Sequence, residues 1–239
     1  MIATSKDETV LMHTATRASW SGGTEVLGML LERTSDASEK EKALFAVLRE
    51  GGSIVIRGVS ENANSEAAAN ETGKPQSEPP DTPAVRTVRL LLDKGVPIES
   101  RDEEGSTLLT TAAGYGETEI VRLLLGRGAD VQAKDEHGLT ALMAAACQCA
   151  LATMNDTYDI VKILLEKGAD VNGRNHEGET ALILASGMAG DPAVLKLLLD
   201  GGADPTAKDK HGETALALAI KSYRPDKVQV LKQATAHAR

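Results

Sequence analysis

Two cysteines and three spaced histidines are the residues whose types invite a chemical reading. Cys147 and Cys149 stand two apart in CQC, which raises a metal or redox site. Residues two apart on a helix do not face each other, the spacing is not C-x-x-C, and no second cysteine pair completes a ligand set. They read as buried small side chains, too few for a disulfide framework. His137, His176 and His211 recur at similar places along the chain. Packed elements stand about 8–10 Å apart, whereas zinc holds nitrogen at about 2.0–2.1 Å, so such a column does not converge on one ion. His13 and His237 lie elsewhere. No metal and no other cofactor is expected.

The sequence holds no G-x-S-x-G, no P-loop, no H-E-x-x-H and no dinucleotide glycine fingerprint. GSTLLTTAAGYGE at 105–117 is glycine-rich, but it follows a pattern that recurs elsewhere in the chain. A catalytic group would have to come from an unusual loop, and nothing within 52–81 pairs a nucleophile with a base. A non-enzyme is expected.

What must position any site is a helical core. Of 239 residues, 41% are hydrophobic and 26% charged, and Trp20, Phe45, Tyr115, Tyr158 and Tyr223 are the only aromatics. A core built from Leu, Ile, Val and Ala suits close-packed helices. The net charge of −9 is spread along the chain, without the clustered Lys and Arg that nucleic acid demands. MIATSKDETV lacks the features of a signal peptide, and no apolar run approaches the roughly 18 residues of a membrane span. Neither nucleic acid nor a membrane is an expected partner, and the expected location is the cytoplasm.

Glycine recurs at Gly95, Gly128, Gly168 and Gly202, and again at Gly105, Gly138, Gly178 and Gly212, both series stepping by 33, 40 and 34 residues. Such a period marks a stacked-repeat solenoid. Thr107, Thr140, Thr180 and Thr214 precede Ala/Leu-rich runs such as TALMAAA, where a hydroxyl caps a first helix. A second helix follows, as in EIVRLLL, DIVKILL and AVLKLLL, and closes at a glycine suited to positive φ. The polar stretch ADVQAKDEHG then fits a projecting turn. One unit cannot bury its apolar face alone, so neighbours must stack on it.

These features resemble the ankyrin-repeat family. The resemblance rests on 102–134, on its two successors and on DKHGETALALA at 209–219, about 140 residues in all. The family's T-P-L-H appears only in altered form, as Thr107-Leu-Leu-Thr, Thr140-Ala-Leu-Met, Thr180-Ala-Leu-Ile and Thr214-Ala-Leu-Ala. The missing proline and histidine put the usual hydrogen bonds of that turn in question.

The implied fold is an all-α solenoid of helix-turn-helix units with projecting β-turn tips, about six repeats. Residues 1–34 read as an incomplete repeat with Thr9 at its cap. Residues 35–95 form a divergent second repeat with a mobile insertion at 52–81, rich in Ser, Asn, Glu and Pro. In it 41–52 is the first helix, with Lys42 at the threonine position, and 84–95 the second; alternatively 39–50 is an outer helix. Regular repeats fill 96–202, and 203–239 is a C-terminal cap, with Lys232 where other repeats carry leucine.

The resemblance implies another protein as partner, bound by the concave face and the turn tips. The implied contacts are Glu103, Glu104 and Ser106; Glu136, His137 and Leu139; His176, Glu177 and Glu179; and Lys210, His211 and Glu213, with Tyr115 at a helix end. Basic residues Arg101, Lys134, Arg174 and Lys208 stand just before the tips and read either as contacts or as solvated charges. Leu139 draws attention because an apolar residue at a projecting tip lacks a core, unless it packs on a neighbouring tip. A second edge is the row of turns between first and second helices, where the repeats take up their extra residues. Trp20, Tyr115, Tyr158 and Tyr223 fall there, either as interface anchors or as rings packing their own loops. The function expected is a non-enzymatic scaffold or adaptor. An inhibitor covering a partner's active site and a unit that self-associates end to end are the alternatives.

Overall fold

The computed structural model describes residues 11, 13–18, 24–51, 82–147, 154–187 and 191–237. Among the described residues the chain is helical throughout, with three isolated antiparallel bridges and no strand. Residues 13–18 are α1. Then follow α2 (Thr24–Arg33), α3 (Ala37–Gly51), α4 (Pro83–Asp93), α5 (Leu108–Tyr115), α6 (Thr118–Gly126) and α7 (Ala141–Cys147). The rest are α8 (Met154–Glu166), α9 (Ala181–Gly187), α10 (Pro192–Asp200), α11 (Ala215–Lys221) and α12 (Pro225–His237).

These helices stack in two rows. In the inner row α3 packs on α5, α5 on α7, α7 on α9 and α9 on α11; in the outer row α2, α4, α6, α8, α10 and α12 follow one another. Each inner helix also packs on the outer helix that follows it, α3 on α4 included. Residues 39–50 therefore stand in the inner row. The inner helices are short and Ala-rich, and Ala112, Ala113, Ala141, Ala145 and Ala146 are all buried. Small side chains let them approach closely. The outer helices supply the bulk of the core through Leu91, Leu124, Leu164, Leu198 and Leu231.

The expected caps form. The hydroxyls of Thr107, Thr140, Thr180 and Thr214 accept from the amides of Thr110, Met143, Ile183 and Ala217 at 3.1, 3.3, 3.3 and 3.2 Å. The altered tetrapeptide thus still closes its turn, and in the first copy the Thr107 and Thr110 hydroxyls also lie 3.0 Å apart. Thr82 and Asp191 cap α4 and α10, each with proline at the first helical position. The cap of α3 differs from expectation. That helix begins at Ala37, where the Asp36 carboxylate accepts from the Ser38 amide at 2.9 Å, so Lys42 lies inside the helix. Thr9 and the insertion at 52–81 lie outside the described residues.

One apolar position is occupied by a charge. Lys227 on α12 aligns with Ile120, Ile160 and Val194 of the other outer helices and is only 1% exposed. Its ammonium donates to the Ala185 carbonyl near the end of α9 at 2.6 Å. Burial, with the Arg224 charge, pushes its pKa down to about 8.

Candidate functional site

Four turns project between the rows, and one device builds each of them. Asp102 Oδ1 accepts from the amides of Glu104 and Ser106 at 3.0 and 2.8 Å. Asp135 does the same for His137 and Leu139, Asn175 for Glu177 and Glu179, and Asp209 for His211 and Glu213. The tip closes in a second bond, as from the Asp135 amide to the Leu139 carbonyl at 3.0 Å. A short polar side chain that satisfies two amides makes the turn self-contained.

The tips then stack. The His176 amide donates to the His137 carbonyl at 2.8 Å, and the Lys210 amide to the Glu177 carbonyl at 2.9 Å. Gly138 shows how close this is. It has φ +77, and a methyl there would stand 3.0 Å from the His176 amide nitrogen.

The basic residues before the tips correct the picture of a solvated ladder. Arg101 donates to the carbonyls of Gly105 and Lys134 at 2.6 and 2.7 Å, and Arg174 to those of Gly178 and Lys208 at 2.8 and 2.6 Å. Lys134 reaches the Arg174 carbonyl at 3.0 Å. Three of the four cations thus staple one tip to the next. On the neighbouring turns Gln132 and Asn172 donate to the Gly168 and Gly202 carbonyls at 2.7 and 3.0 Å. Stapling leaves the acidic tip side chains as the outward-facing set.

Of the expected contact residues, Glu103, Glu104, Glu136, His137, His176, Glu177, Lys210 and His211 are exposed. Lys210 and Glu177 approach to 3.8 Å, Glu213 pairs with Lys221 at 3.0 Å, and Glu179 accepts from Asn175 at 2.8 Å. Leu139 is half-buried against the hydrophobic core. The expectation that it has no core to join is therefore wrong, because the turn folds back over α7.

Between the first two tips and the inner helices lies a groove of about 350 Å³. Ser106, Thr111, Tyr115 and Leu139 line it, with Arg49 from α3 at its rim. Arg49 donates to Asp102 Oδ2 at 2.8 Å, and the Asp102 side chain is only 8% exposed. Asp102 thus holds two tip amides with one oxygen and a guanidinium with the other. The sequence gave no sign of Arg49, which lies 53 residues away. Tyr115, expected both as a tip contact and at the far edge, faces this groove.

At that edge Tyr158 is 38% exposed on α8, and Tyr223 is 91% exposed after α11. Trp20 lies outside the described residues. Nearby, Glu117 at the start of α6 is half-buried; burial, with the Asp156 charge on α8, pushes its carboxyl up to about 7.

Cys147 is buried, as expected of a small side chain, but it is disulfide-bonded rather than a free thiol. Cys149 lies outside the described residues. No group of three or more His, Cys, Asp and Glu side chains among the described residues is placed to hold a metal ion. No described helix is long and apolar enough to cross a membrane.

Paired helices in two rows, joined by stapled turns beside an inner groove, define a helical repeat solenoid. The family model for ankyrin repeats, in three copies, matches residues 83–172 and again 149–238, more than half of the chain. The protein belongs to the ankyrin-repeat family. Ankyrin repeats generally mediate protein–protein interaction and are typically non-enzymatic. No curated protein matches the chain in a sequence search.

Proposed function

We propose that this protein is a non-enzymatic scaffold or adaptor that holds a partner protein against its concave inner-row face and turn tips. The observation that carries this reading is how the tips spend their polar groups. Backbone amides and carbonyls bond within and between the tips, and Arg101, Lys134 and Arg174 are consumed in stapling. The outward side chains of Glu103, Glu104, Glu136, His137 and His176 are then presented on a preorganised surface, which lowers the ordering cost of association. Under this reading the twelve helices form six repeats, the first at 1–34 and the capping one at 203–239. A cytosolic setting belongs to the same reading; the disulfide at Cys147 weighs against it, since reducing compartments keep thiols free.

Capture from native extract, with the intact protein immobilised, tests the surface. A partner kept by the wild type and lost with Glu136→Ala/His137→Ala supports the tip surface. Loss only with Tyr158→Ala/Tyr223→Ala moves the site to the opposite edge and sinks this proposal. An inhibitor would use the same face, and inhibition of a captured enzyme would reveal it. Mass that grows with concentration in light scattering would favour self-association instead.

A further inference from the structure

The inner groove holds an unmet hydrogen-bonding demand. Thr111 is 7% exposed and lines the groove, yet its hydroxyl has no hydrogen-bond partner in the protein. Its neighbours Thr107 and Thr110 use their hydroxyls on each other. Enclosed hydroxyls are nearly always bonded, so this one is completed from outside the protein. The hydroxyls of Ser106 and Tyr115, on the same wall, are also without a protein partner.

Charge decides which kind of group completes them. Arg49, the cation at the rim, is already bonded to Asp102. Glu104 lines the groove without an ion pair, and Glu103 and Glu136 stand exposed beside it, also unpaired. Setting Arg49, Arg101 and Lys134 against Asp102, Glu103, Glu104, Asp135 and Glu136 leaves two surplus negative charges. An anionic group would meet that surplus, whereas a cation is drawn to it. The volume of about 350 Å³ lies within the range of ligand pockets, about 300–1,000 Å³.

We infer that the groove receives a lysine or arginine side chain of the partner protein. The hydroxyls of Ser106, Thr111 and Tyr115 and the carboxylate of Glu104 accept its N–H groups. This rests on the reading that the concave face binds protein, and it adds the chemistry of the contact. An ammonium or guanidinium carries only donors, which suits a wall of free acceptors.

The test selects a random peptide library, displayed on phage, against the intact protein. Affinities of the selected peptides are then measured at two salt concentrations for wild type, Thr111→Val and Glu104→Gln. Enrichment of Lys or Arg at one position is expected. Affinity should fall about fivefold with Thr111→Val and about tenfold with Glu104→Gln, more steeply at low salt. Unchanged thermal melting of both variants shows that the groove is intact. Acidic or neutral peptides at that position, or binding indifferent to both substitutions, overturn the inference. If such binding is still lost with Glu177→Ala/His211→Ala at the farther tips, the concave-face reading stands alone. Peptides indifferent to every tip and groove substitution, or a library yielding none, overturn both.

Discussion

The guanidinium of Arg101 donates to the backbone carbonyl of Lys134, 33 residues further along, at 2.7 Å. Arg174 repeats the arrangement on Lys208, 34 residues on, at 2.6 Å. A side chain that reads as surface charge is therefore a rung between repeats.

Arg174→Ala should destabilise the protein by about 1 kcal/mol, since it removes two charge-assisted bonds to carbonyls at an exposed site. Urea unfolding, with unchanged slope and a lower midpoint, is the expected result. A midpoint equal to that of the wild type would mean that the staple contributes nothing.

Tyr223 has φ +53, where the corresponding turn after α5 places Gly116 at φ +81. A tyrosine there is strained by about 1–2 kcal/mol, and its 91% exposed ring recovers nothing by packing. Tyr223→Gly should therefore raise the melting temperature by a few degrees, less the entropy cost of the glycine. A lower melting temperature would show that the ring is held by contacts of its own.

Lys227 gives a stability that depends on alkaline pH. Its ordinary pKa is 10.5 and its folded value about 8. Between them the unfolded chain binds more protons than the folded one, so stability rises with pH across that window. Lys227→Met should flatten the rise, read as the difference between the two proteins' denaturant midpoints from pH 7 to 10.5. A parallel pair of profiles would contradict it.

Glu117 acts with the opposite sign at lower pH. Its folded pKa of about 7 lies above the ordinary 4.5, so the folded chain holds the extra proton between these values. Stability from this group is present below about pH 4.5 and lost as pH rises through 7. Glu117→Gln should remove that fall and leave the variant more stable than wild type at pH 7.5. Thermal melts across pH 4.5–7.5 check this, and identical slopes would rule it out.

The sequence by itself determined the features that arise within one turn of chain. Thr107 and its three counterparts cap helices because a hydroxyl reaches an amide three residues on. The tip glycines recur because their φ is positive. The 33-, 40- and 34-residue period then dictated stacking, since no single unit buries its own apolar face. Lys227 was legible too, as the one lysine in a column of Ile and Val, and was missed because attention fell on Lys232. What only the tertiary structure decided is where each polar group finds its partner. Arg49 meets Asp102 across 53 residues, and Leu139 finds a core that its position at a projecting turn did not announce. Thr111 and Thr110 are adjacent threonines of one helix, yet one hydroxyl is bonded and the other opens into the groove. Hydrogen bonds and ion pairs are short-ranged and directional, so they depend on the distances that stacking sets, and a linear pattern carries no such distances.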